Sequence, residues 1–145
     1  MNIYTIGFTQ KTAGQFFGLL DRPAIRRVVD IRLNNNSQLA GFTKREDLRF
    51  FLKAILGKDY AHVPELAPSA ELLKAYRDGN SNWEIYERDF LTLMRERRVE
   101  NTVAAGLLDG ACLLCSEATP EHCHRRLVAE YFQVVWPGTV VEHLA

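Results

Sequence analysis

The chain has 145 residues, and its 18 lysines and arginines balance its 18 aspartates and glutamates. That length suits one domain, residues 1–145, with a real core, and the balance excludes a global positive field for holding a nucleic-acid backbone. No apolar run reaches transmembrane length, and the N-terminus lacks the basic and long apolar regions of a signal peptide. With three cysteines, an odd count, this reads as a cytoplasmic protein with reduced thiols.

Asn2 to Ile6, closed by Gly7, is rich in β-formers and reads as the first strand. Thr12-Ala-Gly-Gln15 has capping-box spacing and opens a helix carrying Phe16, Phe17, Leu19 and Leu20, which Asp21-Arg-Pro23 stops. Arg27 to Ile31 is a second strand with Asp30 and Arg32 at its exit. The polar loop that follows carries Asn34, Asn35 and Asn36, amides able to read a sugar or base edge. Thr43-Lys-Arg-Glu46 is a second capping box, leading into Leu48, Phe51, Leu52 and Ile55 at helical spacing, with Gly57 as the C-terminal cap.

Tyr60 to Val63 is a brief third strand, and Ser69 caps a short helix that ends at Gly79. Ser81-Asn-Trp-Glu84 is a third capping box before a longer helix whose Trp83, Tyr86 and Phe90 read as core rather than as a stacking platform. Val99 to Leu108 is ambiguous, a short helix turning at Asp109-Gly110. Ala111 to Cys115 is apolar throughout, as expected of a central strand covered on both faces. Thr119-Pro120 signals a helix start, and Leu127, Val128, Tyr131, Phe132 and Val135 form that helix's buried side. Thr139 to Leu144 is the last strand.

Strands alternating with helices predict an open, mostly parallel five-stranded sheet with helices on both faces, a Rossmann- or flavodoxin-like three-layer α/β domain. Parallel strands joined by right-handed crossovers put every strand exit on one edge, where ligands bind. Gly7 and Thr9, Asp30 and Arg32, His62 and Glu65, Cys115 and Glu117, and His143 are therefore expected on one rim.

Cys115 precedes a loop and a helix start, a setting that attracts anions and lowers a thiol's pKa. The layout resembles that of cysteine-dependent phosphatases and sulfurtransferases, yet the arginine those enzymes carry six residues after the cysteine is Glu121 here. A carboxylate there would repel an anionic substrate, which favours Cys115 as a buried structural thiol over Cys115 as nucleophile. Cys123 divides evenly between small core residue and functional group. His124 is expected to orient Glu117 or Asp30, or to be a satisfied core histidine. Of Arg125 and Arg126, one is expected at the rim as an anion clamp and the other on the surface with Glu130. Asp30 and Arg32 flank Ile31 on the same side of the strand, so they form an ion pair or hold a ligand through bidentate Arg32. Cys115, Cys123, His122 or His124, and His143 carry metal-binding atoms, but the seven residues between the cysteines are not the paired spacing of structural zinc sites. No metal and no cofactor is expected.

Thr5-Ile-Gly-Phe-Thr9, Val29-Asp-Ile-Arg32, Gly41-Phe-Thr-Lys-Arg45, Tyr60-Ala-His-Val-Pro-Glu-Leu-Ala-Pro68, Trp83 with Tyr86, Leu113-Leu-Cys-Ser-Glu117, Cys123-His-Arg125 and His143-Leu144 together resemble the family catalogued as domain of unknown function 488 (DUF488). A serine often stands in that family where this chain has Thr9. The resemblance implies a small α/β cytoplasmic protein and points to the same rim residues, without supplying a mechanism.

The residues alone favour an enzyme acting on a small anionic ligand: a nucleotide, or a phosphorylated or carboxylated metabolite. Cys115, Glu117, Asp30 and His124 are its candidate catalytic groups, and Gly7, Thr9, Arg32, His62, Cys123 and Arg125 its candidate ligand-binding groups. One alternative is a non-catalytic nucleotide or nucleic-acid module using Arg26, Arg27, Lys44 and Arg45, with nucleic acid disfavoured as partner; another is a Cys/His metal-dependent hydrolase. Neither a membrane partner nor an assembly beyond a homodimer is expected.

Overall fold

The computed structural model describes residues 1–35 and 41–145. The strands are β1 (Asn2–Gly7), β2 (Arg27–Asp30), β3 (Asp59–His62), β4 (Ala111–Cys115) and β5 (Val140–His143). The helices are α1 (Ala13–Leu20), α2 (Arg45–Phe51, widening into a π-turn over Leu52–Leu56), α3 (Ala70–Arg77), α4 (Trp83–Arg97), α5 (Val99–Thr102), α6 (Ala105–Leu108) and α7 (His124–Val135). The ambiguous stretch from Val99 to Leu108 is thus two short helices. Asn36 lies outside the described residues.

All five strands run parallel, in the order β3-β2-β4-β1-β5. β4 is central and buried at every position, as its unbroken apolar run requires. Strand side chains alternate between two apolar layers. Tyr4, Ile6, Val28, Cys112 and Leu114 pack beneath α1 and α2, against Phe16, Phe17, Leu20, Leu48 and Leu52. Ile3, Val29, Ile31, Ala111 and Leu113 pack on the other face, against Phe90 and Met94 of α4 and Leu127, Val128 and Phe132 of α7.

Helix starts follow the sequence signals at two places and depart from them at three. Thr12 makes the full capping box with Gln15, and Ser69 Oγ accepts from Leu72 N. α4 is capped by Asn82 rather than Ser81, whose hydroxyl donates to the Asn82 carbonyl. α2 starts after Lys44, because Gly41–Thr43 is taken up in a 3₁₀ turn. α7 starts after Cys123 rather than at Thr119-Pro120: the Ser116 and Glu117 carbonyls are tied down by Thr9 and Arg125, so the chain turns through 118–122 before it can coil.

β1 and β2 send their chains over the α1/α2 face, whereas β3 and β4 send theirs over the α4/α7 face. The neighbours β2 and β4 therefore part company at their carboxyl ends. Such a divergence opens a crevice at the edge of an α/β sheet.

Candidate functional site

The crevice between the ends of β2 and β4 has a volume of about 120 Å³, and Arg32, Asn34, Trp83, Cys115, Glu117 and His122 are among its lining residues. Arg32 and Glu117, 85 positions apart in the chain, share this one pocket.

Cys115 is the last residue of β4, and strand alternation places it on the α4/α7 face. Its Sγ lies 3.3 Å from Nδ1 of His124, and Nε2 of the same ring lies 2.7 Å from the carbonyl oxygen of Ile31. A carbonyl only accepts, so Nε2 carries a proton and Nδ1 of the neutral ring is the acceptor that faces the thiol. His124 thus orients neither Glu117 nor Asp30, because its two nitrogens are engaged by Cys115 and the end of β2. Burial would push the Cys115 thiol up, but Cys123 S–H, the Ser116 N–H, the Arg125 charge and the Glu117 N–H together hold it below the usual thiol range. Cys123 has the opposite character: burial, and then the hydrogen bond it gives to Cys115, push its thiol well up. Cys112, on the other face of β4, is also raised by burial.

Asp30 and Arg32 form a buried pair. Arg32 donates from Nε to Oδ1 and from Nη2 to Oδ2 of Asp30, each at 2.8 Å, and from Nη2 to the Thr43 carbonyl at 2.6 Å. The Arg32 N–H and the Tyr60 hydroxyl also donate to Asp30. Both carboxylate oxygens are therefore occupied, so Asp30 positions Arg32 and is not the free acid or base expected of it. The guanidinium lies over the Phe8 ring, and its Nη1 is buried with no partner among the described residues. His62 is not among the crevice's lining residues, and its Nε2 lies 3.0 Å from the Arg32 carbonyl.

Arg125 is completely buried. It donates from Nη1 to the Glu117 carbonyl at 2.6 Å and from Nε to Thr5 Oγ1 at 3.3 Å, makes no salt bridge among the described residues, and leaves Nη2 without a partner there. The clamp expected at the rim is in fact an internal brace for the 115–117 loop. Gly7 and Thr9 serve the same loop. A β-carbon on Gly7 would fall 1.6 Å from the Glu117 oxygen, and Thr9 Oγ1 donates to the Ser116 carbonyl at 2.6 Å. Thr5 Oγ1 is in turn 2.6 Å from His143 Nδ1. Arg126 is the surface residue of the pair and bonds Glu130 at 3.0 Å.

Two features escaped the sequence reading. Trp83 stacks on His122 at the crevice wall, with ring centroids 4.9 Å apart, and the buried Tyr86 lines the same crevice, so both rings are more than core. Tyr60 holds Asp30. Helical periodicity ranks Trp83 with Tyr86 and Phe90, and only the fold shows that the first turn of α4 overhangs the rim.

Glu121, whose charge counted against Cys115, is exposed and does not line the crevice. Arg26 and Arg27 lie at the start of β2, and Arg27 is tied to the carbonyls of Gly106, Leu107 and Asp109, while Lys44 and Arg45 follow the strand's opposite end. These four do not make one basic patch. Cys115, Cys123 and His124 present three atoms within 4.8 Å of one another, a set a thiophilic metal ion could take; His122, which lines the same crevice, and His143, whose Nδ1 meets Thr5, do not belong to that set. Among the described residues no helix is long and apolar enough to cross a membrane.

Fold and rim together define a single-sheet α/β protein with a thiol, an imidazole and two buried guanidiniums gathered at its carboxyl edge. The family model described as domain of unknown function DUF488 matches residues 12–132, and the chain belongs to that family. The match takes in Arg32 and the whole stretch from Cys115 to Arg125, and it begins after Gly7 and Thr9 and ends before His143. No curated protein and no solved structure is significantly similar to the chain.

Proposed function

We propose that the chain is an enzyme that attacks small anionic substrates with the Cys115 thiolate. The observation that carries this reading is the relay from Cys115 Sγ to His124 Nδ1, at 3.3 Å, with His124 Nε2 anchored on the Ile31 carbonyl at 2.7 Å. It has the form of a nucleophile, a base and a group that orients the base. The thiol proton passes to Nδ1, and the imidazolium so formed keeps its Nε2–H bond to Ile31 unchanged. The thiolate is held by the Cys123 S–H and by the Ser116 and Glu117 N–H groups.

Arg32 supplies the anion site. Its bidentate grip on Asp30 fixes the guanidinium plane, and Nη1, which has no partner among the described residues, belongs to a residue that lines the pocket beside Cys115. A volume of about 120 Å³ equals roughly four waters at about 30 Å³ each, enough for a carboxylate or phosphate head group. The rest of such a substrate lies along Trp83 and His122, and exposed Glu117 stands at the mouth as a general acid for the leaving group. The three free cysteines are all buried, which suits a reducing compartment such as the cytoplasm.

The test is alkylation of the native protein by iodoacetamide, mapped by peptide mass. Selective labelling of Cys115 below the pH range of a free thiol, slowed by millimolar inorganic phosphate or a small dicarboxylate and abolished in Cys115→Ser, is the expected result. An inert Cys115, or stoichiometric zinc that blocks it in the purified protein, overturns the reading.

A further inference from the structure

We propose that Cys123 is a resolving thiol, which closes a reversible disulfide with Cys115 after Cys115 has been oxidised by hydrogen peroxide or a small organic hydroperoxide. The proposal rests on the reading of Cys115 as a reactive thiolate and adds a second activity to the same crevice.

Three observations carry it. The two sulfurs belong to a cluster whose ligand atoms all lie within 4.8 Å of one another, so they face each other across the end of β4. Cys123 also occupies the N-cap of α7, with extended backbone angles of φ −133° and ψ 138°, and its side chain makes no capping bond. Serine, threonine, asparagine and aspartate are favoured there because their oxygen satisfies a free helix N–H. A cysteine forfeits that bond, and its sulfur is turned on Cys115 instead. Finally, of the Cys123 backbone only the carbonyl joins α7, accepting from Arg126 N at 3.2 Å, while its N–H bonds the Pro120 carbonyl, so the Cys123 side chain can close the remaining distance to a bond of about 2.05 Å at the cost of the first turn alone.

The chemistry balances with the hydroperoxide as the only oxidant. The Cys115 thiolate attacks the peroxide oxygen; the S–O bond forms, the O–O bond breaks, and the alkoxide or hydroxide leaves as alcohol or water after taking a proton from solvent. Cys115 sulfur is oxidised by two electrons to the sulfenic acid. Cys123 sulfur then attacks Cys115 sulfur; the S–S bond forms, the S–O bond breaks, and hydroxide departs with the Cys123 proton as water. A low-molecular-weight thiol restores both cysteines by exchange. Cys112 takes no part, because it faces the α1/α2 side of β4.

The experiment treats the full-length protein with one equivalent of hydrogen peroxide and counts free thiols after denaturation. They should fall from three to one. Proteolysis after Glu117 and Glu121 should yield the Cys115 and Cys123 peptides joined, and dithiothreitol should release them. In Cys123→Ser, a substitution that suits an N-cap, Cys115 should accumulate as a sulfenic acid that dimedone traps; in Cys115→Ser, Cys123 should stay reduced. Equal dimedone labelling of Cys115 in the native protein and Cys123→Ser, with no joined peptide, overturns the resolving role and leaves the nucleophile standing. A Cys115 that neither peroxide nor iodoacetamide modifies in any variant overturns both.

Discussion

The carbonyl oxygen of Glu117 rests where Gly7 has no side chain, 1.6 Å from the place a β-carbon would take, and Arg125 Nη1 holds it there at 2.6 Å. One glycine on β1 thereby sets the height of the loop whose N–H groups face Cys115. Gly7→Ala cannot be relieved by a flexible side chain, because the atom in the way is backbone. Overpacking of this kind costs about 1–3 kcal/mol. Chemical denaturation should show that loss, and iodoacetamide labelling of Cys115 in the folded fraction should slow as its thiol drifts back toward ordinary values.

Labelling rate against pH reads the thiol directly. The Cys115 midpoint should lie below that of a free thiol, and Cys123→Ala should raise it, because the S–H bond from Cys123 is the foremost of the influences that hold Cys115 down. A group whose folded pKa is depressed contributes stability that is complete above its unfolded pKa and fades as pH falls through the folded one. Unfolding free energy should therefore rise with pH across that window in the native chain, and this part of the rise should vanish in Cys115→Ser. An unmoved midpoint in Cys123→Ala would show that the S–H bond does not matter.

The sheet was legible from the sequence because apolar runs, glycines and capping boxes are local signals, and Ala111 to Cys115 announced a doubly covered strand without help from any other residue. The rim was legible as a cluster, since parallel strands leave little choice about where their exits go. The roles within it were not. Arg125 and Arg126 are adjacent and chemically alike, and only the helix phase of α7 decides that the first is buried against Thr5 while the second meets Glu130. Likewise the Cys115–His124 pairing depends on α7 starting at His124, four residues beyond Pro120, where Thr119-Pro120 had suggested the start. That delay comes from long-range bonds made by Thr9 and Arg125, which no local pattern encodes.

The Asp30–Arg32 pair gives a further prediction. Removing one partner of a buried ion pair leaves the other charge uncompensated, at a cost of about 3–5 kcal/mol. Asp30→Asn should lie in that range by denaturation. Arg32→Lys should fail to restore phosphate protection of Cys115 even where it folds, because an ammonium cannot make the two parallel bonds that orient the guanidinium. Full protection in Arg32→Lys would remove Arg32 from the anion site.

His143 offers a readout of the inner brace, independent of the thiol. Burial, and then the charge of Arg125, hold its imidazole below the ordinary histidine range. Its Nδ1 meets Thr5 Oγ1, which also accepts from Arg125 Nε, so the ring is joined through Thr5 to that buried guanidinium. When a histidine's folded pKa is depressed, the unfolded chain takes up its proton first as pH falls. The resulting stability is complete above about pH 6.5 and is lost as pH drops toward the folded value. Native protein should show a stability that declines below about pH 6.5, His143→Gln should flatten that decline, and the His143 ring resonances should titrate below those of a free histidine. A His143 that titrates at the ordinary value, with an unchanged slope in His143→Gln, would mean that the Arg125 charge does not reach along Thr5 to the end of β5.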